Sequence, residues 1–263
     1  MSKAGEKSFF SSVPYDNKTK AILLNKSVQI YPLIEEKSIA AKKLSESLRL
    51  LFAGMFYIKG GMELASAFEH LRKTYSNLTL TIITPTHTIK EADQQYLRSI
   101  PGLTLLDAAY NDDQMSEFYR NHDIFILPTY RDGFGLVLVE AISWGLPIIC
   151  TDQYATTEVA IDGYNAFIYP NHPLKDYDTK SFTLLGKYYN PKDFYRDLFH
   201  YQKDGSLKPV IDFLTISIER FLKEPSLLES YSKNSLALYR EKFGAQKISD
   251  QVETVFLDAV SEK

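Results

Sequence analysis

Two carboxylates and a lysine are the residues of this chain best suited to chemistry. Asp132 opens Asp132-Gly133-Phe134-Gly135, and Glu140 follows eight positions later inside the apolar run Leu136-Val137-Leu138-Val139-Glu140-Ala141. An ionised carboxylate in such surroundings must be paired, hydrogen-bonded or wet. Apolar neighbours on both sides argue against an exposed face, which leaves an arginine partner or a ligand hydroxyl pair such as that of a ribose. Asp132, in the loop, can accept from hydroxyls. Gly133 and Gly135 leave the N–H groups of residues 133–136 able to face an anion. The helix dipole adds about 0.3–1 kcal/mol there, and up to about 2 when partly buried. Lys59 closes Gly54-Met55-Phe56-Tyr57-Ile58-Lys59-Gly60-Gly61, where a helix begins. A lysine beside helix N-terminal amides suits a phosphate. The plainer reading is a solvated lysine in a glycine-closed loop, since the spacing is not that of a P-loop.

The elements that must position these residues follow from periodicity. Short apolar runs at 48–54, 78–84, 103–107, 123–128, 147–151 and 166–170 read as strands. Between them, 59–75, 89–100, 112–122, 135–145 and 156–163 carry helical spacing. Asn111 or Asp112 caps the third helix, and Gly145 ends the fourth. This alternation predicts an α/β fold, a Rossmann-like parallel sheet with helices on both faces. Ligands bind such a sheet beyond the carboxyl ends of its strands, which is where Lys59 and Asp132 fall. Residues 1–47 read as a lead-in segment: 1–26 show little periodicity, and 27–34 are extended and stopped by Pro32. From about 171 to 208 the order fails in a tyrosine- and lysine-rich insertion. Three helices, at 209–225, 226–244 and 245–262, give a helical C-terminus.

Composition narrows the class. The 263 residues are 44% hydrophobic and 24% charged, the balance of a globular chain with a substantial core. A net charge of −3 gives no electrostatic case for nucleic acid as a partner. One cysteine, Cys150, excludes a disulfide within the chain. No apolar run approaches the roughly 20 residues of a membrane span. A cytoplasmic location is the expectation. His70, His87 and His122 lack metal-ligand spacing, and Trp144 reads as core packing. Asp152 and Glu158 fall at the same rim, as turn and helix-start residues or as ligand contacts.

Together these residues carry a resemblance. Asp132-Gly133-Phe134-Gly135, Glu140, Gly145, Pro147, Asp152, Glu158 and Asp162-Gly163-Tyr164-Asn165 resemble the carboxyl-terminal, donor-binding domain of retaining GT-B glycosyltransferases of family 4. The likeness runs from about 48 to 170, more loosely through the terminal helices. It implies a single GT-B carboxyl-terminal domain over 48–263, holding a nucleotide-diphospho-sugar, UDP- or GDP-linked, with no cofactor and no metal. Lys59 would neutralise the diphosphate beside Gly54. Amides of Phe134, Gly135 and Leu136, after Gly133, would hold sugar and phosphate. Asp132 would contact sugar hydroxyls and Glu140 the ribose, with the base near Leu106 and Tyr110. Asp132 and Lys59 are the catalytic candidates. The acceptor would be a glycan or a lipid-linked glycan at the inner membrane face, and the context surface polysaccharide assembly.

Departures from the family pattern are informative. Met55 stands where the family has an arginine. Asp132 is one methylene shorter than the usual glutamate. Tyr154-Ala155 replaces a glycine pair, and Thr84-Pro85-Thr86 a glycine-rich turn. Residues 1–47 have no room for an amino-terminal acceptor domain, which leaves an excised domain, one half of a split enzyme partnered by a separate N-terminal GT-B domain, or a degenerate protein, and the isolated chain is expected to transfer little. The alternative is a non-catalytic GT-B-like subunit that docks through the aromatic insertion.

Overall fold

The computed structural model describes residues 2–261 except 13, 36, 39 and 171, so the first residue of the expected insertion lies outside the described residues. Six strands, β1 (Leu48–Ala53), β2 (Leu78–Thr84), β3 (Leu103–Asp107), β4 (Ile124–Leu127), β5 (Ile148–Thr151) and β6 (Ala166–Tyr169), form one sheet in the order β3-β2-β1-β4-β5-β6. All neighbours are parallel. Every residue of β4 and β5 is buried, so their continuous apolar runs are covered on both faces rather than one.

The covering helices follow the strands: α3 (Gly61–Arg72), α4 (Glu91–Ser99), α5 (Asp112–Asn121) and α6 (Leu136–Ser143). Asn111 and Gln114 form a capping box at the start of α5. The terminal helices α8 (Lys208–Lys223), α9 (Pro225–Lys242) and α10 (Ala245–Ser261) come last, with α8 against α3 and α9 against α6. Ser235 of α9 donates to the Leu146 carbonyl at 2.9 Å, pinning the turn between α6 and β5.

Four expectations change. The aperiodic 1–26 contains two helices, α1 (Lys3–Ser12) and α2 (Asn17–Lys26), the second started by Asp16, whose carboxylate accepts the Thr19 N–H at 2.8 Å. Local capping started α2 without any apolar stripe, and the same weak amphipathy hid it from a periodicity reading. Residues 27–34 lie in no helix and join no sheet. The irregular 171–208 contains a full helix, α7 (Pro191–Asp204), entered by Asn190-Pro191 and stopped by Gly205 at φ 83°. The expected helix over 156–163 shortens to a single turn, Thr156–Glu158. The helix expected from 59 begins at Gly61 because Gly60 is left-handed, at φ 74°. A Cβ on Gly60 would stand 2.3 Å from the Pro128 carbonyl oxygen. That residue lets the loop after β1 close on the loop after β4, and Tyr130 N–H donates to the Ile58 carbonyl across the same junction at 2.9 Å.

Candidate functional site

The chain builds the sheet outward from β1 through β2 to β3, then returns to the other side of β1 with β4. The strand order therefore reverses between β1 and β4, and a crevice opens beyond their carboxyl ends. Lys59 follows β1 and Asp132 follows β4. They meet across that crevice: Lys59 Nζ lies 2.5 Å from Asp132 Oδ2 and 2.7 Å from the Arg131 carbonyl oxygen. Both side chains are mostly buried, at 17% and 12% exposed. Asp132 Oδ1 accepts the Gly135 N–H at 2.9 Å, so the acid also fixes the loop that leads into α6. Gly135 holds φ 74°, the left-handed geometry that starts α6 immediately after the loop.

A cleft of about 640 Å³ opens beside this pair, lined by Met55, Lys59, Asp132, Gly133, Gln153 and Tyr154. Its other wall comes from the expected insertion, through Tyr177, Leu184, Tyr188 and Tyr189. Sequence reasoning missed these wall residues as site components; the tyrosine density of 171–208 was the available signal. Tyr154, where the family has glycine, is left-handed at φ 52° and donates its N–H to the Tyr177 hydroxyl at 3.0 Å. Arg131 also lines the cleft, its guanidinium 5.8 Å from the Phe194 ring centre.

Glu140 does not line this cleft. It lines a second cavity, of about 590 Å³, with Asp112, Met115, Tyr119 and Val137, roofed by Leu33 and Ile34 of the lead-in. Its side-chain partner is not an arginine. The Tyr119 hydroxyl donates to Glu140 Oε2 at 2.7 Å, and burial together with this carboxylate raises the Tyr119 phenol well above its ordinary pKa. The two acids thus line different cavities.

The remaining candidates are dispersed. Gly54, at φ 148°, leaves room for the Lys59 side chain, whose Cγ would stand 3.1 Å from a Cβ there. Phe134 stacks on Tyr31 at 5.7 Å between ring centres, and Leu136 is half exposed. The Gly135 amide serves Asp132 instead of standing open to a ligand. Leu106 and Tyr110 line neither cavity; Tyr110 packs edge-on against Phe118. Asp152 pairs with Lys175 at 2.7 Å. Glu158 accepts the Tyr31 hydroxyl and the N–H groups of Lys3 and Ala4 at 2.8–2.9 Å. Trp144 is buried, with the Arg120 guanidinium 5.1 Å from its ring centre.

Behind the cleft lies a buried polar layer that the sequence did not announce. His172 Nε2 is 2.8 Å from Gln153 Oε1, while its Nδ1 has no hydrogen-bond partner among the described residues. Burial, then Lys175, lowers the imidazole to about 3. Its ring stands edge-on to Tyr130 at 5.4 Å. Glu63 of α3 is fully buried and accepts from Gln202 of α7 at 2.8 Å; burial raises its carboxyl above the ordinary range despite that bond.

These features define a class: a doubly wound α/β domain with a charged, aromatic-walled ligand cleft at its switch point. The family follows from comparison. Residues 47–185 match the profile described as "Glycosyl transferases group 1", and the chain belongs to that family. Its fold is that of a GT-B carboxyl-terminal domain. The carboxyl-terminal domain of a group 1 glycosyl transferase (LpcC) from Francisella tularensis superposes with a TM-score of 0.57 at 15% identity, covering 80% of this chain and 98% of that one. The pneumococcal O-GlcNAc transferase GtfA, solved with UDP and GlcNAc, gives 0.56 at 16% identity, over 95% of this chain and 46% of that one. The capsular polysaccharide biosynthesis glycosyltransferase CapM of Staphylococcus aureus is 24% identical over 201 residues, 75% of this chain and 42% of CapM. An Arthrobacter D-inositol 3-phosphate glycosyltransferase is 28% identical over 134 residues, 49% of this chain and 32% of that protein. The chain spans less than half the length of these two curated relatives. Among the described residues, no helix is long and apolar enough to cross a membrane.

Proposed function

We propose that residues 48–263 are the donor-binding domain of a retaining, family 4 hexosyltransferase that uses a UDP- or GDP-linked sugar. The observation that carries the reading is the Lys59–Asp132 pair at the switch point, beside the first turn of α6. A nucleotide-sugar has three parts, and the site offers a matching series. Glu140 in its own cavity suits the ribose hydroxyls, the N-terminal turn of α6 with Lys59 suits the diphosphate, and Asp132 in the larger cleft suits the sugar hydroxyls. The ammonium of Lys59 would stabilise charge on the departing diphosphate, an electrostatic contribution that needs no metal. Ligand entry would exchange the Lys59–Asp132 contact for phosphate and the Tyr119–Glu140 contact for ribose.

The acceptor, a glycan or lipid-linked glycan, would be presented by an amino-terminal GT-B domain, since the family matches span less than half of each curated relative. The chain alone would bind donor and transfer little. Assembly of surface polysaccharide in the cytoplasm, peripheral to the inner membrane face, is the context this reading gives. Calorimetric titration with UDP, GDP and their sugar conjugates tests it. One base should bind, and Lys59→Met and Glu140→Ala should each abolish binding while leaving the thermal melt cooperative.

A second reading, a non-catalytic subunit that uses the fold for association, is favoured by one feature. Phe256, Leu257 and Val260 of α10 are 63–71% exposed. A folded chain that binds no nucleotide in the same titration would select it.

A further inference from the structure

The wall of the cleft between 172 and 190 is a built structure. Asp176 accepts the N–H groups of Lys187 and Tyr188 at 2.8 and 2.9 Å, and its carbonyl accepts the Leu185 N–H at 3.0 Å. Tyr177 bridges to Leu184 and stacks on Phe182, with ring centres 5.9 Å apart and planes within 8°. Lys175, pairing with Asp152, ties the segment to the end of β5. Two consecutive tyrosines on this frame have opposite fates: Tyr188 is fully buried, and Tyr189 is 81% exposed.

The exposed ring is nevertheless held. A Cβ on Gly186 would lie 2.4 Å from Tyr189 Cε2 and 3.0 Å from Cδ2, so the ring occupies the space that a side chain at 186 would take. Tyr189 and Gly186 line the same cleft as Asp132 and Lys59. An aromatic face set in one cavity with a carboxylate matches a pyranose, which offers an apolar C–H face and a rim of hydroxyls.

We propose that the 172–190 segment is a sugar-recognition wall, in which Tyr189, seated on Gly186, stacks on the pyranose of the donor and determines which sugar the cleft accepts. This rests on the nucleotide-sugar reading above. The ring does not serve the base, because the acid suited to the ribose, Glu140, faces the other cavity.

The test is calorimetry on the full chain with UDP, UDP-glucose, UDP-N-acetylglucosamine, GDP and GDP-mannose, for the native protein and for Tyr189→Ala, Tyr189→Phe and Gly186→Ala. The preferred conjugate should bind the native chain more tightly than its bare nucleotide. Tyr189→Ala and Gly186→Ala should each cut that advantage by about three- to tenfold, the range expected for one aromatic stacking contact. Tyr189→Phe should preserve it, and the affinity for bare nucleotide should stay level in all variants. An advantage intact in Tyr189→Ala overturns the inference and leaves the donor-site reading standing. Equal weakening of bare nucleotide assigns the ring to the base and also overturns it. A native chain that binds none of the five ligands overturns both.

Discussion

His172 should make this protein acid-sensitive well above the range where carboxylates titrate. The imidazole is 3% exposed, holds Gln153 at the back of the cleft, and is lowered from 6.5 to about 3 by burial and by Lys175. Its folded pKa lies below its unfolded value, so between the two the unfolded chain binds a proton that the native chain refuses. Stability is therefore intact above pH 6.5 and falls as pH drops from there toward 3. At pH 5 the unfolded state is favoured by 1.5 log units of proton binding, about 2 kcal/mol. Glu63, with its pKa raised by burial, acts in the opposite direction, since its native carboxyl keeps a proton that the unfolded chain releases as pH rises. The two are separated by comparison with His172→Gln, which keeps Glu63 and removes the imidazole. Urea unfolding at pH 7.5 and pH 5 should give a native loss about 2 kcal/mol larger than the variant's. Equal losses in the two proteins would refute the reasoning.

Gly60→Ala places a Cβ 2.3 Å from the Pro128 carbonyl in a left-handed backbone. The conformational cost alone is about 1–2 kcal/mol, and differential scanning calorimetry should show Tm lower by at least about 2–4 °C. Arg49→Ala removes the guanidinium that grips the buried Asp123 at 2.7 and 2.9 Å, leaving that carboxylate only the Arg49 N–H as an identified donor. Denaturant melts should report a loss of about 3 kcal/mol or more, and a loss under 1 kcal/mol would mean that water replaces the pair. Cys150 is fully buried with its thiol pKa pushed up by burial, so a disulfide reagent should label it only as the chain unfolds.

Much of the fold was legible because strands buried on both faces read as short apolar runs and their helices as 3.6-residue spacing. All six strands lie where those runs fall, within a residue at their ends. The helices in 1–26 and 191–204 were not legible. Of the first pair, α2 begins at a local cap and carries almost no apolar stripe, and α7 lies in a stretch whose tyrosines read as irregular. Lys59 and Asp132 were legible as neighbours because both follow strands at the carboxyl edge of one sheet. The cavity that Glu140 lines was not legible, because sequence spacing gives its position along α6 but not which cavity its side chain enters.

By itself the sequence determined the alternation of elements, the parallel sheet and the loop positions of Lys59 and Asp132, since these follow from local periodicity and turn chemistry. Only the tertiary structure decided that β4 lies beside β1, which brings those two charges within 2.5 Å of each other. It also decided that the 172–190 segment forms the far wall of their cleft and that Glu140 pairs with Tyr119. Those outcomes depend on which surfaces bury one another across long separations in the chain, and local sequence carries no record of that choice.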